Sequence, residues 1–112
     1  MIINLNGVEL DFEMTDVDFY EKYMENAGKL DEVMGLELTD EDKQDYHNIV
    51  KLFRERCTAM REFLDRLFVE GTGSKVCGVK DNIEVCLGVY MDMCEGVKRD
   101  SDRLGVKFPG LR

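Results

Sequence analysis

The sequence has one histidine, one proline and no run approaching the roughly 18 consecutive apolar residues of a membrane span. A single histidine, His47, excludes a metal site built on several histidines, and any Cys–His nucleophile pair would have to use it. It follows Tyr46 on a helix whose start is rich in acids, where a solvated surface role is expected. Cys57, Cys77, Cys86 and Cys94 are separated by 20, 9 and 8 positions, so the close C-x-x-C pairs of zinc and redox motifs are missing. Cys57, Cys86 and Cys94 sit among apolar neighbours at helical spacing, the pattern of buried thiols acting as small hydrophobes. The opening MIINLNGVEL has neither the basic start nor the apolar stretch of a signal peptide, and a cytosolic protein is expected.

A phosphate loop is missing too, although Leu67–Asn82 holds three glycines and a Gly-Ser-Lys triplet. A P-loop needs Gly, four residues, Gly, then Lys and Ser/Thr; here Gly73 is followed by Ser74 and only then Lys75. The dinucleotide fingerprint fails because Val76 stands where the third glycine would be. A helix stop followed by a connection explains these glycines.

At 112 residues the chain is one domain with a single core. Its net charge of −9 is unevenly placed, because residues 1–50 carry 14 acidic and 3 basic side chains and residues 51–112 carry 10 acidic and 12 basic. An acidic body with a mildly basic end (Lys98, Arg99, Arg103, Lys107, Arg112) argues against nucleic acid or anionic lipid as the main partner, since both need concentrated positive charge.

Residues 1–13 read as a β-hairpin around Asn6-Gly7, a dipeptide that favours a two-residue type I′ turn. That turn sets Leu5 opposite Val8, Ile3 opposite Leu10 and Met1 opposite Phe12, with Asn4, Glu9, Asp11 and Glu13 on the other face. Thr15 is the expected N-cap of a first helix over about 16–34, with Tyr20, Tyr23, Met24, Ala27, Leu30 and Met34 as its apolar stripe and Gly35 as its stop. Thr39-Asp40-Glu41-Asp42 then opens a second, long helix over about 40–70. Along it Tyr46, Val50, Phe53, Cys57, Met60, Leu64 and Leu67 are spaced 4, 3, 4, 3, 4, 3, an apolar seam widened by Ile49, Phe63 and Phe68. Such a seam means helix-on-helix packing, within the chain or across a subunit boundary.

Asp81 and Glu84 form a capping-box-like start for a third helix over about 81–99. Ile83, Leu87, Tyr90, Cys94 and Val97 make one stripe, Val85, Cys86, Val89 and Met93 widen it, and only Glu84, Gly88, Asp92, Glu95 and Arg99 form a polar edge. A helix apolar over most of its circumference needs cover on several sides, from a central position or an oligomer interface. Gly88 and Gly96 point to close neighbours there, and residues 101–112 are expected to form a flexible tail. The fold class is therefore mainly α: an N-terminal β-hairpin packed on a three-helix bundle with a long central helix, one domain over residues 1–100.

Lys51, Arg54, Arg61 and Arg66 are expected to pair with nearby acids such as Glu55, Glu62 and Asp65. Other carboxylates fall at helix starts and strand outer faces, where capping and solubility account for them. No catalytic constellation, cofactor site or metal site is visible, and the residues point to a non-enzymatic binding or assembly protein. Its association surface is expected at Phe53, Met60, Leu64, Leu67, Val85, Val89 and Met93, with a homo-oligomer as the expected state.

The hairpin INLNGVELDFEM, the acidic helix starts and LFVEGTGSKVCGVKDNIEVCLGVYMDMCEGV together resemble small proteins of siphophages infecting Firmicutes, encoded beside the tail tube gene, a group that includes tail assembly chaperones. Phe68, Glu70, Gly71, Thr72, Lys75, Gly78 and Asn82 match the motif of that group, while Val69 stands where a glycine is usual and Cys77 where an aromatic is usual. The resemblance implies a role in the host cytoplasm, in which the chaperone coats the long helical tape measure protein and recruits tail tube subunits. The alternative reading is a small acidic regulatory or antitoxin-like module that dimerises and masks a basic protein partner.

Overall fold

The computed structural model describes residues 2–105. Strands β1 (Ile2–Leu5) and β2 (Val8–Asp11) pair antiparallel, with Leu5 opposite Val8 and Ile3 opposite Leu10, the register expected from the sequence. The reason is local. Asn6 and Gly7 both take positive φ, 53° and 83°, as a type I′ turn requires, and the Asn4 side chain accepts the Gly7 N–H at 2.8 Å. Ile3, Leu5 and Phe12 are buried; the expected Met1–Phe12 pair and residues 106–112 lie outside the described residues.

Helix α1 (Val17–Met34) is capped by Asp16 rather than Thr15. The Asp16 carboxylate accepts the N–H groups of Asp18 and Phe19, while the Thr15 hydroxyl donates to Glu13. A carboxylate has the stronger claim on a helix N-terminus, where it meets both free donors and the dipole. Tyr23, Ala27 and Leu30 form the buried stripe.

The long central helix starts later than expected. Thr39 and Asp42 satisfy each other reciprocally, as in a capping box, but the turn they open is a short 3₁₀ segment, Asp42–Gln44. Asp45 then takes an extended conformation and caps helix α2 (Tyr46–Leu67) by accepting the His47 N–H. Two consecutive cap signals thus divide a segment expected as one helix into a turn and a shorter helix.

The connection after α2 holds a helix not expected from the sequence, α3 (Thr72–Cys77), framed by Gly71 and Gly78 at φ 95° and 80°. Six residues are too few to show an amphipathic period, and the two glycines read equally well as an open elbow. Helix α4 (Ile83–Leu104) follows, capped by Asn82, whose side chain accepts the Val85 N–H, and it runs past the expected end at residue 99.

The helices α1, α2 and α4 and the hairpin share a single core. Aromatic rings link the layers: Phe12 meets Phe19 and Tyr23 edge-on at centroid distances of 5.2 and 6.0 Å, and Tyr23 meets Phe63 of α2 at 5.8 Å. The broad apolar circumference of α4 is covered inside the chain, by α2, α3 and β1. Ile3 of β1 lies over Gly96, where an added Cβ would stand 2.6 Å from the Ile3 Cδ1. Gly88, by contrast, has no neighbour within 4 Å of a built Cβ.

The tightest approach is that of α3 to α2. A Cβ on Gly73 would fall on the backbone carbonyl and Cα of Arg61, while the Gly73 N–H donates to Asp65 on the same helix at 2.7 Å. Gly73→Ala should therefore lower stability by about 2 kcal/mol or more, because backbone must move. Gly88→Ala, at an exposed helix interior, should raise it by about 1 kcal/mol. Urea unfolding of the two variants beside the parent checks both signs.

Candidate protein-binding surface

The heptad seam of α2 is one line in sequence but two surfaces in the structure. Its C-terminal half, Cys57, Met60, Leu64 and Leu67, is buried in the chain's own core. Its N-terminal half is uncovered: Tyr46 is 67% exposed, Val50 42% and Phe53 37%. The buried positions Leu52, Cys57, Met60, Phe63, Leu64 and Leu67 follow the helical period, which drifts from a strict heptad at about 20° per seven residues. Towards the start of α2 the core-facing side has turned to Leu52, leaving Tyr46, Val50 and Phe53 outside.

The seven side chains expected to mediate association therefore divide. Met60, Leu64, Leu67, Val89 and Met93 are core residues of the single chain and are withdrawn from any surface, a correction to the sequence reading. Phe53 is exposed and Val85 half-buried. Tyr46 and Val50 join Phe53 on the open face, since residues four and three apart are neighbours on a helix. What sequence reasoning missed was the dividing point, near Cys57, which depends on how far α1 and α4 reach along α2.

This open face has a charged frame. Asp40, Glu41, Asp42 and Asp45 gather at the start of α2, and Lys51 and Arg54 lie a turn or two further on. The Asp45 carboxylate also takes His47 Nδ1 at 2.9 Å, and the imidazole stacks on Tyr46 with ring centroids 4.1 Å apart. His47 is exposed, as expected for a surface histidine. Beside this face the 36–38 segment folds along α2, where Leu36 and Leu38 with Leu52 line an open groove and the Leu36 carbonyl accepts from Arg56.

Polar clamps hold the rest of the frame. Lys51–Glu55 and Arg66–Glu62 pair along α2 as expected, but Arg54 and Arg61 reach across to Asp81, just before α4. Asp81 is thus a tether between helices, not the helix cap expected, and Asp65 holds α3. Hydrogen bonding from the Arg61 guanidinium, opposed by desolvation and reinforced by Arg54, keeps the Asp81 carboxyl below its usual 3.8. On the opposite side the Tyr90 hydroxyl donates to Asp31 of α1 at 2.6 Å. Burial first, and that hydrogen bond second, push the Tyr90 phenol well above its ordinary range.

The thiols show no activation. Cys77 is buried, and burial raises its pKa. Among the described residues no group of three or more His, Cys, Asp or Glu side chains is placed to hold a metal ion, and no helix is long and apolar enough to cross a membrane.

The chain belongs to DUF6673, a family of unknown function, whose family model matches residues 6–108, from the hairpin turn through α4. No curated protein and no solved structure matches it.

The clamps give signed expectations. Asp81 has a depressed pKa in the folded chain, so its stabilisation is complete above its usual 3.8 and is lost as pH falls through the lower folded value. Asp81→Ala should cost about 1 kcal/mol at neutral pH, and the difference from the parent should vanish in strong acid. Tyr90→Phe should cost about 1–2 kcal/mol, because it removes the donor to a partly buried carboxylate. Denaturant titrations at neutral and acid pH read both.

Proposed function

We propose that this chain is a non-enzymatic assembly factor of the phage tail assembly chaperone kind, which holds apolar helical protein in the host cytoplasm. Its partners are the tape measure and tail tube proteins, and it self-associates. The observation that carries the reading is the uncovered Tyr46–Val50–Phe53 face on a helix whose Leu52, Cys57, Met60, Phe63, Leu64 and Leu67 are buried. A stripe with three- and four-residue spacing is the shape that receives an amphipathic helix, which lays its own anchors along it. The motif from Phe68 to Asn82 supports the same role: it contains α3 and the Asp81 tether, which together set α4 against α2. The acidic surround of the α2 start limits aggregation of a protein that keeps apolar residues exposed.

Co-expression with a tape measure protein should yield a soluble complex, and light scattering should find the chain alone larger than a monomer. Phe53→Asp should weaken capture by about tenfold or more while leaving unfolding within about 0.5 kcal/mol of the parent, because Phe53 is outside the core. A strictly monomeric chain that captures no helical segment would overturn the reading. The acidic regulatory alternative differs in salt response, since capture of a basic partner would fall steeply with ionic strength.

A further inference from the structure

The start of α2 stands clear of the body. Arg56 donates to the carbonyl of Leu36, just past the Gly35 cap of α1, and Arg54 pairs with Asp81, just before α4. The end of α1 and the beginning of α4 therefore lie level with residues 54–56 of α2, and the stretch 46–53 projects beyond them by about two turns, on the order of 12 Å. Tyr46, Val50 and Phe53 are exposed along this rod. The linker leaves them open, because Leu36 and Leu38 lie against Asn48, Lys51, Leu52 and Glu55, positions that point away from 46, 50 and 53 on a helix.

The rod also carries opposite charge at its two ends. At its tip, residues 40–45 hold Asp40, Glu41, Asp42 and Asp45, with Lys43 as the one base among them. At its root, Arg54, Arg61 and the exposed Lys80 gather round the single carboxylate of Asp81. The nearby acids do not cancel this patch: Glu55 pairs with Lys51 on the far side of α2, and Glu84 lines an opening beside Asn6. Tip and root are separated by about a Debye length, so they act as two patches and not as one neutral surface.

We infer that this rod pairs with the same rod of a second copy of the chain, antiparallel about a two-fold axis near Val50, so that the acidic tip of each copy lies on the basic root of the other. The inference rests on the reading of the stripe as an association surface, and it names an occupant and an orientation for it. A second copy turned end for end matches both patches at once, and symmetry makes the match twice. A parallel pair would set acid against acid, and a helix of one charge throughout would match only one patch. At the centre each stripe meets its own likeness, with Tyr46 and Phe53 as aromatic anchors. Three partly open side chains are a small core beside the roughly 800 Å² per partner of a standard interface, so the dimer is weak, of about micromolar affinity, and charge sets its geometry.

Sedimentation of the whole chain over a range of concentrations tests the pairing. The parent should show a monomer–dimer equilibrium whose dissociation constant rises about tenfold as salt is raised well above physiological strength. Asp40→Lys with Glu41→Lys reverses the tip, and Arg54→Glu with Lys80→Glu reverses the root; all four positions are exposed. Each variant alone should dimerise about tenfold or more weakly than the parent. Mixed, the two should form a one-to-one heterodimer about as tight as the parent dimer, since opposite signs meet again at both ends. Variants that dimerise like the parent, or a mixture no tighter than its components, would overturn the pairing and leave association through another surface standing. A tip variant that binds the parent better than it binds the root variant would overturn the antiparallel direction. A parent that stays monomeric throughout would sink both the pairing and the self-association beneath it. If the root variant does not fold, the tip variant and Tyr46→Asp decide, because either one dimerising like the parent removes the rod from the interface.

Discussion

The packed layers of this protein depend on the C-terminal half of one helix. From Cys57 to Leu67, α2 presents its core-facing side to three partners at once: α1 through Phe63 and Tyr23, α4 through the shared core and, just before that helix, the Arg61–Asp81 pair, and α3 through the Arg61 backbone. A helix wall shared by three neighbours is rigid because interiors pack densely and no partner can shift without disturbing the others. The consequence is asymmetric. The same helix has nothing comparable along its first two turns, so one continuous rod has a fixed root and an open end.

That asymmetry separates what was legible in the sequence from what was not. The hairpin could be read to the residue, because Asn6-Gly7 dictates the turn and a two-residue turn dictates the register. The three long helices could be read from their apolar periods, unlike the six-residue α3, and the mainly α architecture with a hairpin follows from them. The misreadings share one physical origin: a local signal has several uses. Thr39 and Asp42 do bond reciprocally, but only a 3₁₀ turn follows them; Asp81 resembles a cap and serves as a tether. The breadth of apolar surface on α4 calls for either a central position or a subunit interface, and α2, α3 and the hairpin supply that cover within the chain. None of these contributions is visible in a single helix's pattern, because all come from other segments of the chain.

The association surface shows the same limit. Periodicity sets Tyr46, Val50 and Phe53 in one line with Cys57 onwards, although the helical drift turns these three away from the core-facing side. It carries no information on where along the face the neighbours stop. That boundary depends on the relative lengths of α1, α2 and α4 and on the linker at 36–45, which packs beside Leu52 and leaves the seam open. Met60, Leu64, Leu67, Val89 and Met93 had the right chemistry for a binding face and are instead the reason a stable body exists to carry one.

Ile3 rests on Gly96, and Asn6 grips the carbonyl of Val76. The opening strand is thus anchored to α3 and α4 across a separation of 70 residues at the Asn6–Val76 contact, and contacts so distant carry a large loop-closure entropy. The ribbon therefore has its seat only where those two helices are already in place, and a fragment that stops short of α3 offers it neither Val76 nor Gly96.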